Sequence, residues 1–229
     1  MGKEPSHNGI VLLSTRELAD AASGSALPPD SLRIHRLIAA WITSYLMRSH
    51  PDLGRSGEVC PFTSRAHRLD TIRIGVSLAA TGDIAEIKEK MSDCLRQFSA
   101  IACDETTKLF RTVIVGFPNL DDEDGLAALK VAQAHVKWRC LWDGLMVGRF
   151  HPHSDDRGLW NRDFRPMRSP IPLLAIRHLV RNDAPFALRN PVLFARYLCS
   201  YSLAAPKQLL ANLAKQRTRR GARLQQGVE

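Results

Sequence analysis

Ile72-Arg-Ile-Gly-Val-Ser-Leu78 is the stretch on which the fold turns. Ile72, Ile74, Val76 and Leu78 alternate with Arg73, Gly75 and Ser77. A period of two puts one face of a strand in a core and leaves the other half-covered. Downstream, Asp83 stands as a cap before Ile84, Ile87, Met91, Leu95 and Phe98, whose spacing predicts an amphipathic helix. Leu109 to Gly116, centred on Val113-Ile-Val115, predicts a second strand. The acidic run Asp121-Asp-Glu-Asp124 then opens a helix that extends to about Trp142, its negative charge suited to the positive helix end. Leu145 to Phe150 predicts a third strand. The order strand, helix, strand, helix, strand favours an α/β fold, with α+β as the alternative: one sheet of three or more strands carrying crossover helices.

Helical additions are expected at both ends. Pro28-Pro29-Asp30-Ser31 starts a helix capped by Asp30 or Ser31, in which Ile34, Leu37, Ile38, Trp41, Tyr45 and Leu46 recur at helical spacing until about His50-Pro51. A loop follows, punctuated by Gly54, Gly57 and Pro61. Ile171 to Val180 is expected as a helix behind Pro170 and Pro172, and Pro191 to Ser202 and Pro206 to Lys215 as two terminal helices. Residues 1–28 read as a loosely ordered N-terminal segment, 29–205 as a single α/β domain, and 206–229 as a basic C-terminal helix or tail.

A chain of 229 residues with 45% hydrophobic residues holds enough apolar surface for a core. No apolar run approaches the roughly 18 residues that span a bilayer, and the first residues carry no signal-peptide pattern, so a cytoplasmic protein without a membrane span is expected. The five cysteines (60, 94, 103, 140, 199) form no CxxC pair, which argues against a disulfide framework or a structural zinc. Cys94, Cys140 and Cys199 read as buried thiols in helices. The net charge is +9, and from Lys207 onward six Lys/Arg face one Glu. Without a zinc-finger or aromatic RNA-binding signature, charge alone is a weak argument for nucleic acid. Dinucleotide, phosphate-loop, metalloprotease and nucleophile-elbow motifs are absent too. A homo-oligomer stays open.

The segment from Gly148 to Asp183 concentrates chemistry. Three histidines (His151, His153, His178) and seven arginines (149, 157, 162, 165, 168, 177, 181) sit among Phe150, Trp160 and Phe164, with four prolines restricting the backbone. So long a donor-rich loop reads as a binding or catalytic surface. His151 and His153, two apart on an extended chain, point to opposite sides and do not chelate one metal unless Pro152 bends them together. One of them fits an axial ligand or an acid/base group; the bland alternative is a turn cap and a solvated ring. Arg157, Arg162, Arg165 and Arg168 repel one another, so they need either an anionic guest or local neutralisation by Asp155, Asp156 and Asp163. Cys60, before Pro61 and near Arg55 and Arg65, reads as a packed thiol, a thiolate ligand or a nucleophile.

Three blocks carry a resemblance. His50-Pro-Asp-Leu-Gly-Arg-x-Gly-x-Val-Cys-Pro-Phe, Gly144-Leu-Met-Val-Gly-Arg-Phe-His and Phe164-Arg-Pro-Met-Arg-Ser-Pro-Ile-Pro-Leu-Leu-Ala-Ile-Arg-His resemble an uncharacterised bacterial family, a domain of unknown function met near secondary-metabolite genes. More distantly, the Cys-Pro-Phe block is similar to bacterial haem-dependent N-oxygenases that act on amino acids. That likeness implies a tailoring enzyme that uses haem to oxidise a small amine or amino-acid-like substrate. A haem needs an axial ligand, an apolar slot and cations for its propionates. His151, His153 or His178 would supply the ligand, His151 being the metal candidate and Cys60 its competitor. Trp160, with Phe150, Phe164 and Met167, would line the slot. Arg165 and Arg168 would hold the propionates, and Arg177 a substrate carboxylate. Two further readings stand beside it: a cofactor-free enzyme whose arginines bind a small anionic substrate while a histidine moves protons, and a non-catalytic module that docks a partner or an anionic surface.

Overall fold

A computed structural model describes residues 9–20, 27–80, 83–180, 183–184 and 191–201. In chain order the main elements are β1 (Leu13–Ser14), α1 (Thr15–Asp20), α2 (Pro29–Trp41), α3 (Thr63–Arg68), β2 (Ile72–Val76), α4 (Ile84–Ala100), β3 (Thr112–Gly116), α5 (Glu123–Trp142), β4 (Leu145–Phe150), β5 (Leu173–His178) and α6 (Pro191–Tyr201). Asp83 and Asp122 start α4 and α5, each carboxylate accepting a first-turn amide, from Glu86 and Gly125 respectively.

The five strands form one mixed sheet in the order β1-β2-β3-β5-β4, so the fold is α/β. β2 and β3 pair in parallel, joined by α4. β5 is antiparallel to both β3 and β4, and β1 is antiparallel to β2. β2, β3 and β4 therefore run the same way, and their carboxyl ends lie along one edge.

Alternation along the strands builds two cores. Val113, Val115, Leu174 and Ile176 face α4 and α5, whose Ile87, Met91, Phe98, Leu129 and Val136 close that side. Ile72, Ile74, Ile114 and Leu173 face the other way, onto Ile34, Ile38 and Trp41 of α2 and the Ile42 and Leu46 that follow it. Cys94 and Cys140 lie fully buried in the first core, as the sequence suggests.

Several expectations are corrected. Ile171 to Val180 is a strand region, not a helix, with β5 in the interior of the sheet. A short apolar run has no period that separates a buried strand from a buried helix, and a strand flanked on both sides is apolar on both faces. The cap of α2 is Pro28 and no side chain caps it, because Pro29 already removes one of the amides that would need a partner. α2 does not reach His50: its continuation, Ile42–Leu46, is a π-helical turn closed by Met47 N–H donating to Ile42 O at 3.1 Å. Helix α3, within the stretch around the Cys-Pro-Phe block, was not expected. Residues Leu13–Ser14 and Thr15–Asp20, in the segment read as loosely ordered, add an edge strand and a helix, with Leu18 buried. The expected helix over 206–215 and the basic tail lie outside the described residues, as does the side chain of Cys199.

Candidate functional site

The Arg/His segment leaves β4 at Phe150 and folds back on itself before entering β5. His151 N–H donates to Met167 O at 3.3 Å, Ser154 N–H to His151 O at 3.1 Å and Gly158 N–H to Phe164 O at 2.9 Å. The segment is seated on the end of α2 and the loop beyond it. Phe164 packs on His50 at 4.7 Å between ring centroids, the Tyr45 hydroxyl donates to Arg165 O at 3.4 Å, and the Asn161 amide donates to Asp52 O at 2.8 Å. Gly54, at φ 74°, makes this approach possible: a Cβ there would lie 2.9 Å from the backbone carbon of Trp160. Trp41 and Phe150 extend the same aromatic layer, 5.4 Å apart.

Within it the cations are occupied locally. Arg165 donates to Arg162 O at 2.7 Å and lies 3.7 Å from Asp155. Arg168 donates to Ser154 O at 3.2 Å. His153 is exposed and Trp160 half-buried. His151 keeps a buried Nδ1 without a partner, and its pKa lies below the ordinary imidazole value, first through burial and then through the charge of Arg149.

The register sends Arg177 and His178 elsewhere. Phe150 pairs with Leu173, whereas Leu145 pairs with His178. His178 thus lies five residues along β5 from the His151 edge, on the order of 16 Å at a strand's rise. Arg177 and His178 also point to opposite faces. Both Nη groups of Arg177 reach the buried Asp183 carboxylate, at 2.8 and 2.7 Å, and the guanidinium sits over Phe62 at 5.7 Å. Cys60 is half-buried in the core on the same side of the sheet. His178 rests on Phe98 at 5.3 Å and leaves Nε2 buried without a partner among the described residues.

The residues set out for haem therefore do not fit one group. The propionate cations bond to backbone carbonyls and Asp155, and the histidines divide between opposite ends of the sheet. Nor does any group of three or more His, Cys, Asp or Glu among the described residues gather to hold a metal ion.

A cleft of about 300 Å³ opens instead at the carboxyl end of β2. This is the edge where α/β sheets commonly bind ligands, outside the strand ends. Val76, Ser77 and Leu78 leave β2 along its floor, His35 and Ser31 reach it from α2, and Glu86 and Lys90 from α4. Ser77 N–H donates to Gly116 O at 2.9 Å, which fixes the strand exit to β3. The Asn119 amide donates to Leu78 O at 2.8 Å and braces the rim. His35 is 1% exposed. Its Nδ1 lies 2.8 Å from Ser31 O, and a carbonyl only accepts, so Nδ1 carries the hydrogen. Nε2 is buried and has no partner among the described residues. In the neutral ring that atom is an acceptor facing no donor, a costly state for a buried group. Sequence reading passed over His35 because it falls within the apolar stripe of α2. The signal present was a histidine beside Ile34 and Ile38 on a face otherwise destined for the core.

The family whose model matches the chain is described as a domain of unknown function, DUF6875, over residues 35–212. No curated protein and no solved structure matches it.

Proposed function

We propose that this chain, which belongs to the DUF6875 family, is a small-molecule tailoring enzyme whose substrate, an amine or alcohol, binds in the cleft at the carboxyl end of β2. His35 carries the reading: a residue lining the cleft whose imidazole is almost fully buried and whose Nε2 has no partner among the described residues. The fixed Nδ1–H on Ser31 O holds the ring in the tautomer whose Nε2 accepts. The ligand must then present an O–H or N–H. Accepting that hydrogen bond satisfies Nε2, and taking the proton makes His35 the general base. Glu86 offers a carboxylate to an ammonium group at the same cleft, and Leu27, Val76 and Leu78 offer apolar surface to the rest of the molecule.

The test is ligand-detected NMR with a panel of small amines, amino alcohols and amino acids. Saturation transfer to one of them that disappears in His35→Leu, while the amide spectrum of the variant stays native, supports the reading. A panel without a binder, or a binder indifferent to His35→Leu, overturns it.

A further inference from the structure

Helix α5 is apolar on two sides. Ala128, Leu129, Ala132, Val136 and Cys140 face the sheet. On the opposite side Val131, Trp138 and Trp142 stand 45%, 66% and 86% exposed. At about 100° per residue these three lie within about 40° of one another around the helix axis. Lys130 and Lys137 lie about 80–100° to one side of this stripe, beyond Ala134; His135 and Arg139 lie about 20–60° to the other, and all four are exposed. Between Gly125 and Trp142 the helix carries no acidic residue. Its acids, Glu123 and Asp124, belong to the first turn, where the helix end favours them.

Two indoles left in water on one helix face call for a partner. The charge says which. A second copy would bring a like-charged molecule, each at +9, against the same lysines. A bilayer with anionic headgroups meets both features. Indoles favour the headgroup depth, and Lys and Arg on either side of the stripe lay their stems along the apolar layer while their charges reach phosphates. The indoles stand out from a convex helix, which suits a deformable layer better than a rigid acidic protein. From Lys130 to Trp142 the stripe offers about 18 Å of contact along such a surface. No helix among the described residues is long and apolar enough to cross a membrane, so the contact is with the surface only.

We propose that α5 seats the protein peripherally on anionic membranes, with Trp138 and Trp142 in the headgroup layer and Lys130, Lys137 and Arg139 against lipid phosphates. The test is cosedimentation of the full chain with vesicles of phosphatidylcholine alone and with phosphatidylglycerol added. Tryptophan emission is followed in parallel. Of the four tryptophans, Trp41 is buried and Trp160 half-buried, so the exposed pair dominates any blue shift on docking. The expected result is binding to the anionic vesicles only, with a blue shift. It weakens on the order of tenfold in Trp138→Ser/Trp142→Ser and largely survives in Trp138→Phe/Trp142→Phe. Both variants lie on a solvent face and should keep the native circular dichroism. Sedimentation unchanged by the serine pair would place the contact in other basic residues and overturn the proposal. So would an emission spectrum that does not move, or self-association or capture of an acidic protein without vesicle binding.

Discussion

His35 and His178 both bury an Nε2 that has no partner among the described residues, and their surroundings differ. His35 lines a cleft whose proposed ligand would supply the missing donor. His178 stands on Phe98, and burial first, then Arg111 and Lys108, push its pKa down to about 4. The unfolded ring, at about 6.5, takes up a proton that the folded ring refuses. More protons bound to the unfolded chain mean that stability rises with pH between these two values. Acidification from pH 6.5 to 4 therefore removes stability, and below pH 4 this contribution is flat. Unscreened, the shift corresponds to about 3 kcal/mol, which partial exposure reduces to about 1–2 kcal/mol. Urea unfolding at pH 7 and pH 4.5 measures the loss, and His178→Leu should flatten most of it. Arg177 gives a second residue-scale prediction. Arg177→Ala leaves the buried Asp183 carboxylate, among the described residues, with the Val180 amide at 2.8 Å as its remaining partner. It should cost about 3 kcal/mol. Arg177→Lys should recover little, because a single ammonium cannot reproduce two parallel bonds. The double variant Arg177→Met/Asp183→Leu should cost less than the sum of its singles, as denaturation of all four proteins would show.

At the scale of elements, the legible parts were those with a period and a stop. β2 alternates, β4 is bounded by Gly144, and α4 and α5 each begin on an aspartate that does cap them. β5 was illegible because its flanking prolines suit a helix start as well as a strand start, and Leu173, Leu174 and Ile176 are all buried. Only the partners on both sides, β3 and β4, decide it. α3 was illegible for another reason: it has six residues, too few for a period to show. The cap of α4 also shapes the cleft, because Glu86, whose amide Asp83 accepts at 2.9 Å, lines it. Asp83→Ala should lower stability by about 1 kcal/mol, visible as a drop in Tm. Asp83→Ser should restore most of it, since a hydroxyl accepts the same amide.

Across the whole molecule, the question is which functional groups the topology gathers. Sequence proximity suggested that the histidines and arginines of the Gly148–Asp183 segment converge, but a strand in the middle of that segment carries two of them to the far end of the sheet. The cleft, by contrast, joins residues remote in sequence, from His35 through Ser77 to Glu86, and no local pattern announces it. It sits at the end of β2, while His151 sits at the end of β4, with β3 and β5 between them. Three strand spacings amount to about 14 Å. Substitutions that far apart, without shared partners, act independently. His151→Ala and Arg168→Ala should therefore shift the Kd of an amine or alcohol held in the cleft by less than about twofold. His35→Leu, which removes the acceptor from a buried hydrogen bond, should weaken it on the order of tenfold or more. Isothermal titration of the three variants decides between the two ends of the sheet. A loss confined to His151→Ala or Arg168→Ala would move the site back to the Arg/His segment.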